Sequence, residues 1–391
     1  MADRLALDLD VVTPLFLGGA DPARPEVRAS SFRGALRFWF RALAAQRDLN
    51  ELRRLEAAVF GDTGDASSVL ISADPVGESQ PLEWGQVRRP AVGPLSPDHN
   101  LGLNYLAFAF RTQGGAPPRK CLPPGARIRL GLRLRRGADE DALRQAYAAL
   151  WLLLNLGGLG TRARRGFGAL AALSRVSLEG LPPLMMSGDS TAGLRRHLQE
   201  GLRQLREIVP SDPPERPGPY SILSRAHAGV FASNRTWGSW QAALGEIGHR
   251  LSVYRGGQPR DPTRNGLFPR MADLRGGTLT KAVAERAAFG LPIPYYDPRT
   301  RENFVLEPGA PGDTDAPDRR ASPLLIKVVR LNPRTYTLVL TFFFGAAFLE
   351  RGRTALHVNG MEIQGPSSLD PVRDFLQAQS RELELASVPL P

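Results

Sequence analysis

A twelve-residue stretch, residues 157–168, constrains this chain most strongly because it concentrates glycine and arginine between two regular patterns. Apolar residues recur at helical spacing before it, and residues 169–178 follow it with the pattern of a strand. Glycine permits positive φ and a close approach of the backbone to a ligand. The arginines offer charged forks to phosphate, and the ring of Phe167 offers a face to a base. The stretch predicts a loop that grips a nucleic-acid strand, with a basic helix-to-strand turn as the alternative.

The place of this loop in the chain excludes two familiar nucleotide-binding motifs. A P-loop or a dinucleotide fingerprint lies between a strand and a following helix, whose N-terminus holds the phosphate. Here the loop follows a helix and precedes a strand, and no Gly-Lys-Ser/Thr sequence occurs. Binding of a mononucleotide by those routes is therefore not expected.

The charge of the chain favours a polyanionic partner. The 391 residues carry a formal net charge of +11, with a pI of about 10.5, and a strongly basic balance is typical of nucleic-acid binding. The length predicts about two or three domains. The single Cys121 excludes an intrachain disulfide or a multi-cysteine metal site and favours the cytoplasm. The longest apolar run, residues 338–349, is too short to span a membrane.

The first half of the chain predicts a ferredoxin-like order of elements. The alternation of Leu5, Leu7 and Leu9 indicates a half-buried strand. The further predicted elements are helices at 32–47, 51–60 and 139–156, and strands at 68–73, 103–111, 127–135 and 169–178. Residues 74–102 are rich in proline and glycine and predict a surface insertion. The order strand, helix, strand, strand, helix, glycine loop, strand is the βαββαβ pattern with insertions.

Three arginines of the first predicted helix share one face. Arg33, Arg37 and Arg41 recur every four residues, so their side chains follow one another along the helix. One interpretation is a solvated face with acidic neighbours supplied by the fold. The other is an anion bound along the helix start, where the helix dipole favours negative charge. The basic composition favours the second interpretation.

Three segments resemble a known family: residues 13–20 (TPLFLGGA), residues 31–39 (SFRGALRFW) and the glycine loop. They resemble the RAMP superfamily of CRISPR-associated proteins, and within it the RAMP subunits at the head, or guide 3′-end side, of type III-B Cmr effector complexes. Residues 237–250, 290–293 and 319–327 are similar to the same family. The resemblance implies an α+β fold with two ferredoxin-like, RRM-like domains. It also implies binding of CRISPR guide RNA and target single-stranded RNA beside other RAMP subunits, in antiviral defence and with no catalytic centre or cofactor.

The second half predicts the other domain less distinctly. We expect a first domain at residues 1–182, a linker at 183–215 with a bridging helix, and a second domain at 216–391. The predicted elements are a strand at 221–232, helices at 191–209, 237–251, 278–289 and 370–380, a basic loop at 255–277, a flexible loop at 307–318, and strands at 323–331 and 336–344.

The expected RNA contacts come from the two glycine-bearing loops, the first helix and the basic segment near residue 320. They are Gly18, Gly19, Arg33, Arg37, Arg41, Gly157, Gly158, Gly160, Arg162, Arg164, Arg165, Gly166, Phe167, Gly168, Arg319, Arg320 and Lys327. Phe167 would stack on a base or prop the loop. Arg319 and Arg320 have an equally good alternative, which is pairing with Asp315 and Asp318.

Two other classes of function remain open from the residues. The five histidines are scattered without metal-ligand spacing, so a metal site is not expected. An endoribonuclease would need an acid such as Asp21, beside Gly18 and Gly19, to assist attack by a 2′-hydroxyl. A capping subunit that touches protein only is disfavoured by the net charge.

Overall fold

The structure is a computed structural model that describes residues 3–21, 23–91, 93–110, 118–216, 218–256, 285–297, 300–314, 317, 319–349, 355–358, 360–366 and 368–390. The strands in these ranges are β1 (Arg4–Val11), β2 (Val69–Val76), β3 (Leu82–Glu83), β4 (Lys120–Cys121), β5 (Arg127–Leu134), β6 (Leu170–Ala172), β7 (Ala228–Ser233), β8 (Ile293–Asp297), β9 (Glu302–Pro308), β10 (Leu324–Asn332), β11 (Thr335–Phe343), β12 (Ala355–Val358), β13 (Met361–Gln364) and β14 (Leu385–Val388). The helices are α1 (Ala29–Ala44), α2 (Leu49–Phe60), α3 (Trp84–Val87), α4 (Pro97–Leu106), α5 (Glu140–Leu156), α6 (Thr191–Ile208), α7 (Trp240–Tyr254) and α8 (Asp370–Ser380). None of them is long and apolar enough to cross a membrane.

The first sheet has the strand order β2-β5-β1-β6 and is antiparallel where its registers are defined. Alternate residues of β1 (Leu5, Leu7 and Leu9) are buried, as their period of two predicts. Helices α1 and α5 supply Trp39 and Trp151, both almost fully buried, to the core above this sheet. The strand order with two covering helices is ferredoxin-like.

The second sheet repeats this arrangement with the order β10-β11-β7-β14. Its strands follow the chain as strand β7, helix α7, hairpin β10-β11, helix α8 and strand β14, which is again βαββαβ. The α+β class with two ferredoxin-like units is therefore confirmed. The predicted domain boundaries at residues 182 and 215 stay a prediction.

The two units are joined by a shared core and by polar contacts. Arg330 of β10 forms an ion pair with the buried Asp10, with Nη1 2.7 Å from Oδ2. Lys327 Nζ donates to the carbonyl of Leu170 at 2.9 Å. Burial raises the pKa of Asp10 and lowers the pKa of Lys327 to about 7. The rings of Trp39 and Phe343 also meet, with centroids 6.3 Å apart.

The predicted strand at residues 103–111 is wrong. Helix α4 ends at Leu106, and a 3-10 turn follows at Phe108–Phe110. The Ser96 side chain caps α4 by accepting from the N–H of His99 at 3.2 Å, and Pro97 occupies the first turn. Helix α4 then packs so closely on α7 that a Cβ on Gly248 would lie 2.2 Å from the Gly102 carbonyl oxygen. This long-range helix pairing overrides the local apolar pattern.

Smaller differences concern the ends of elements and the second half. Helix α1 begins at Ala29, three residues before the predicted start at residue 32, and has no side-chain cap. Residues 307 and 308 belong to β9, not to a loop, and β9 lies in a third sheet of order β13-β12-β9-β8 that was not predicted. Most of the predicted basic loop at 255–277 and of the helix at 278–289 lies outside the described residues.

Candidate nucleic-acid interface

The glycine loop is fastened to the segment that follows β1. The N–H of Thr161 donates to the carbonyl of Phe16 at 2.9 Å, and the N–H of Gly168 donates to the carbonyl of Pro14 at 3.0 Å. The Thr13 hydroxyl donates to the Gly166 carbonyl at 2.8 Å. These bonds hold the loop as a shelf, because its middle and its C-terminal end are tied to one neighbouring segment.

Several glycines of the loop serve its own packing. Gly168 has φ +65, and a Cβ there would lie 1.9 Å from the carbonyl oxygen of Leu159. Gly160 has φ +81, and its Cβ would lie 2.4 Å from the Phe16 carbonyl oxygen. Both positions require glycine whether or not a ligand is present. Gly166 and Gly168 are buried and offer little exposed surface, so their contact with RNA stays a prediction.

Phe167 props the loop and does not present a face to solvent. Its side chain is 0 % exposed. The ring packs at right angles to Phe110, with centroids 5.0 Å apart, and against Trp84 at 5.7 Å. These contacts fit the structural role expected for this residue, and base stacking stays a prediction that the buried ring does not support.

A groove of about 510 Å³ lies between the glycine loop, the segment ending at Gly18 and the start of α1. Among the residues that line it are Phe16, Gly18, Ser30, Ser31, Gly34, Phe38, Trp39, Gly157, Gly158, Gly160, Thr161 and Arg164. No acidic side chain lines the groove among the described residues. A backbone shelf, three hydroxyl side chains and one guanidinium therefore surround a space that suits an anionic strand.

Gly18 and Gly34 stand apart from the other glycines of the groove because no protein atom would contact a Cβ at either position. A Cβ on either residue would meet nothing within 4 Å, and neither has positive φ. Gly34 lies inside α1, where glycine costs about 0.5–1 kcal/mol relative to alanine. Both residues line the groove. Their absent side chains widen the space that a strand would occupy.

The start of α1 faces the same groove through Ser30, Ser31 and Gly34. The N-cap residue, Arg28, makes no side-chain cap, and the first turn contains no acid. The first N–H groups of a helix have no partner within the helix and carry the positive end of its dipole. This end of α1 therefore adds positive potential to the groove.

The three arginines on α1 divide into two groups. Arg41 Nη1 lies 2.9 Å from Oε2 of the buried Glu56, and Arg37 Nε donates to the same carboxylate. The alternative of acidic neighbours supplied by the fold matches the contacts of these two residues, whereas their binding of RNA stays a prediction. Arg33 is different, since its buried Nε has no hydrogen-bond partner among the described residues.

Arg164 connects the loop to the second unit. Its Nη1 donates to the Ser322 carbonyl at 2.7 Å, and its Cζ lies 4.9 Å from the centroid of the Phe38 ring. Its own carbonyl accepts from the N–H of Ile326 at 3.1 Å. Burial lowers the pKa of Arg164 to about 10, which leaves the guanidinium charged at neutral pH. The charge is held at the groove by neutral acceptors, so it is positioned without being cancelled.

A second, larger cavity of about 990 Å³ opens on the other side of the glycine loop. The two spaces share Gly160, Thr161, Ala163 and Arg164. Eight arginines line the larger one: Arg119, Arg162, Arg164, Arg165, Arg255, Arg286, Arg319 and Arg320. No carboxylate lines it within the described ranges. The predicted residues Arg162, Arg165, Arg319 and Arg320 therefore belong to this cavity and not to the groove.

The basic segment near residue 320 meets expectation only in part. Arg319 is exposed, whereas the Arg320 guanidinium donates to the carbonyls of Phe348 and, at 3.0 Å, Ala288. Asp315 and Asp318, the expected acidic partners, lie outside the described residues. Lys327 is 2 % exposed and its amine is bonded to Leu170, so its assignment as an RNA contact stays a prediction that these contacts do not support.

The residues of the enzyme alternative do not gather at the groove. Asp21 is exposed and accepts from the N–H of Ala23 at 2.8 Å, as in a local turn. Gly19 packs against Glu26. In the described ranges no group of three His, Cys, Asp or Glu side chains is arranged to hold a metal ion.

Comparison with known proteins identifies the family. The model of the RAMP superfamily matches residues 8–171. The CRISPR system Cmr subunit Cmr1-1 of Pyrococcus furiosus is 35% identical over 327 residues, which cover 82% of this chain and 81% of that protein. This chain belongs to the Cmr1 group of the RAMP superfamily. Cmr1-2 of the same organism is 33% identical over 178 residues, which cover 42% of this chain and 91% of that protein.

Solved structures of this Cmr1 group and of a Cmr complex share the fold. The crystal structure of Cmr1 from Pyrococcus furiosus in its apo form covers 100% of this chain and 99% of its own, with 23% identity and a TM-score of 0.60. A chain in the cryo-EM structure of the type III-B Cmr-beta complex bound to cognate target RNA covers 96% of this chain and 98% of its own, with 14% identity and a TM-score of 0.53. The fold extends over the whole length of both chains.

Sequence reasoning missed part of this Cmr1-group site. Gly34 carries a usable signal, since glycine inside a helical pattern often has a packing or functional reason. Arg255 and Arg286 carry none, because only the tertiary structure brings them beside the glycine loop. Tyr105 was missed with them, since its segment was assigned to a strand.

Proposed function

We propose that this chain is a non-catalytic RNA-binding subunit of a type III-B CRISPR (Cmr) ribonucleoprotein that acts in antiviral defence. It holds guide RNA, target single-stranded RNA or both through the sugar–phosphate backbone. Its partners are those RNAs and other RAMP subunits of the complex. The relatives named as Cmr subunits, and a fold shared with a complex bound to target RNA, support this assignment.

The observation that carries the proposal is the pair of open glycines in the groove. Gly18 and Gly34 leave space that no protein atom fills, beside a helix N-terminus and Arg164. Contacts of the backbone and of guanidinium groups with phosphate give affinity without sequence preference. A subunit that serves many guides requires that property.

The composition of the groove supports a binding role without catalysis. Its described lining residues include no His, Asp or Glu that would act as a general acid or base. Asp21 is turned into its own loop by the bond from Ala23. In this proposal RNA is held there and is not cleaved.

Salt-dependent binding of single-stranded RNA tests the proposal. Fluorescence anisotropy with an oligonucleotide of arbitrary sequence would compare the wild type with Arg33→Gln/Arg164→Gln. Arg164 lines the groove, whereas Arg33 does not line it but lies next to Gly34 in α1, and its Nε has no hydrogen-bond partner in the described part of the chain. Each phosphate contact contributes about 0.7 to the slope of log K against log salt for single strands. We expect the double variant to bind at least about tenfold more weakly and to lose about 1.4 from the slope, equally for unrelated sequences.

The matched control removes the same charge elsewhere. Arg53 of α2 and Arg133 of β5 are exposed and lie outside the groove. Arg53→Gln/Arg133→Gln should bind RNA with close to wild-type affinity and slope. Equal losses of RNA affinity in both double variants would show that the effect arises from net charge alone. Unchanged RNA affinity with failed assembly would make the groove a protein-docking surface.

A further inference from the structure

The larger cavity holds the guanidinium groups of Arg165 and Arg255, which no described carboxylate neutralises. Arg255 Nη1 donates to the Tyr105 hydroxyl at 2.6 Å, and its Cζ lies 5.4 Å from the centroid of the Phe289 ring. Arg165 Nη2 donates to the Phe289 carbonyl at 2.9 Å. Neutral oxygens and a ring face therefore fix these two groups in position without cancelling their charge. Arg286 lines the same cavity, with its Cζ 5.0 Å from the centroid of the Tyr295 ring.

Unsatisfied donors remain in this cluster. Arg165 Nη1 and Arg255 Nε are buried, and neither has a hydrogen-bond partner among the described residues. A buried donor without an acceptor lowers the stability of the fold by about the free energy of desolvating that group, and the cost is larger when the group is charged. Both side chains line the cavity. An anionic ligand there would receive the free donors of two residues that the fold already holds in place.

The electrostatic field inside the cavity is strongly positive. Burial, followed by repulsion from Arg255, lowers the pKa of Arg165 to about 9. Burial also lowers the pKa of Arg162 and Arg286. At Tyr105 burial alone would raise the pKa, but the charges of Arg255, Arg286 and Arg165 bring it below its ordinary value. The converging positive charges repel one another, and a bound anion would relieve that repulsion.

The charge of the ligand follows from this field. A phosphodiester in a strand carries one negative charge, whereas a phosphate monoester carries about 1.5 to 2 at neutral pH. The second negative charge of the monoester adds most to the binding free energy where several guanidinium groups converge away from bulk water. The cavity therefore favours a monoester over the diesters that the groove takes.

We propose that the arginine cavity binds a phosphate monoester, in the form of the terminal phosphate of the RNA strand that the adjacent groove holds. This assignment rests on the proposed function. The shared wall of Gly160 to Arg164 lets a strand that leaves the groove place its end in the cavity. Leu101 and Phe108, which are 59% and 42% exposed, line the same cavity and offer apolar surface to the last base.

The test uses one RNA sequence with three kinds of end: a 5′-phosphate, a 3′-phosphate, or hydroxyls at both ends. We expect one of the two phosphates to raise the affinity of the full-length chain about tenfold over the dephosphorylated RNA. The increment should fall as the pH drops from 7 to 5, because the monoester takes up its second proton with a pKa of about 6. Equal affinity for all three RNAs would overturn the assignment to a strand end.

Arg255→Gln separates the cavity from the groove. It should remove the increment from the terminal phosphate while the dephosphorylated RNA binds as it does to the wild type. Arg53→Gln, with the same change of charge outside the cavity, should keep the increment. Thermal melting verifies that Arg255→Gln is folded, and Arg286→Gln gives an independent second variant with the same expected loss.

Free nucleotides distinguish the source of the phosphate and the failure of each proposal. Adenosine 3′- and 5′-monophosphate are added as competitors against each RNA. Competition that removes only the terminal-phosphate increment supports the strand end as the ligand. Monophosphate binding that needs Arg255, without any increment on RNA, would refute the strand end and leave a nucleotide site. Failure of dephosphorylated RNA to bind would instead refute the proposed function of the groove.

Discussion

Replacing Gly34 by alanine should move stability and RNA binding in opposite directions. Gly34 lies within α1, and an added Cβ would meet no protein atom within 4 Å. Alanine at an unstrained helical position is favoured over glycine by about 0.5–1 kcal/mol. A gain of that size raises the melting temperature by about 2–3 °C in domains of comparable size. The free protein should therefore be more stable than the wild type.

The same methyl group would intrude on the space reserved for the strand. Gly34 lines the groove, so its Cβ would push the RNA backbone away from Arg164 and the glycine loop. We expect the dissociation constant for single-stranded RNA to rise about tenfold, which corresponds to about 1.4 kcal/mol. Differential scanning calorimetry and fluorescence anisotropy on the same preparation measure the two effects.

Gly85→Ala provides the matched control. Gly85 is exposed in the short helix α3, its Cβ would also meet nothing within 4 Å, and it lies outside the groove. This variant should bind RNA as the wild type does. If Gly34→Ala is stabilised but binds RNA with unchanged affinity, the open glycines have no part in binding and the reasoning about the groove is wrong.

Three further variants test the assignments made within the structure. Phe167→Ala should lower the unfolding free energy by about 3–5 kcal/mol, because it leaves a cavity where a fully buried ring stood. An unchanged unfolding free energy in denaturant titration would contradict the structural role of Phe167. The folded wild type releases the Lys327 proton near pH 7, whereas the unfolded chain releases it near 10.5. The unfolding free energy of the wild type should therefore rise between these pH values, by on the order of 4 kcal/mol. Lys327→Met should remove this rise. Urea titrations at pH 7 and 10 measure this difference, and parallel profiles of the two proteins would argue against a buried, mostly uncharged amine. Arg37→Gln/Arg41→Gln should destabilise the chain, because it leaves the buried Glu56 unpaired. The RNA affinity of the folded fraction should stay within about twofold of the wild type. A tenfold loss of affinity in the anisotropy assay would indicate that these arginines contact RNA.

The periodic parts of the fold were predictable from the sequence. Leu5, Leu7 and Leu9 alternate because one face of β1 meets the core, and this pattern survives in any tertiary context. The helix predicted at residues 370–380 has the bounds of α8. The order of such elements sufficed for the ferredoxin-like class, since few topologies satisfy βαββαβ with short connections.

Helix α4 shows where local sequence patterns fail to predict secondary structure. Its apolar residues alternate as in a strand, yet the helix forms because glycines on α4 and α7 let two backbones touch. That contact joins residues 102 and 248, which are far apart in the chain. A pattern read over a short window cannot contain it.

The glycine loop was located correctly, but the roles of its residues were not separable from the sequence. Gly168 is needed to avoid the Leu159 carbonyl, and Phe167 fills an aromatic core. In the sequence, Gly18 and Gly34 cannot be distinguished from glycines such as Gly168, yet a Cβ on either of them would meet no protein atom within 4 Å. Only the positions of neighbouring atoms distinguish a glycine that serves packing from one that leaves room for a ligand.

Photocrosslinking of the full-length chain to single-stranded RNA containing 4-thiouridine tests the central claim most directly. Mass spectrometry of the crosslinked peptides locates each contact on the chain. The account predicts adducts in the three segments that form the groove: residues 16–18, 30–39 and 157–164. Adducts confined to other surfaces, such as the exposed arginine face of β5, would contradict it.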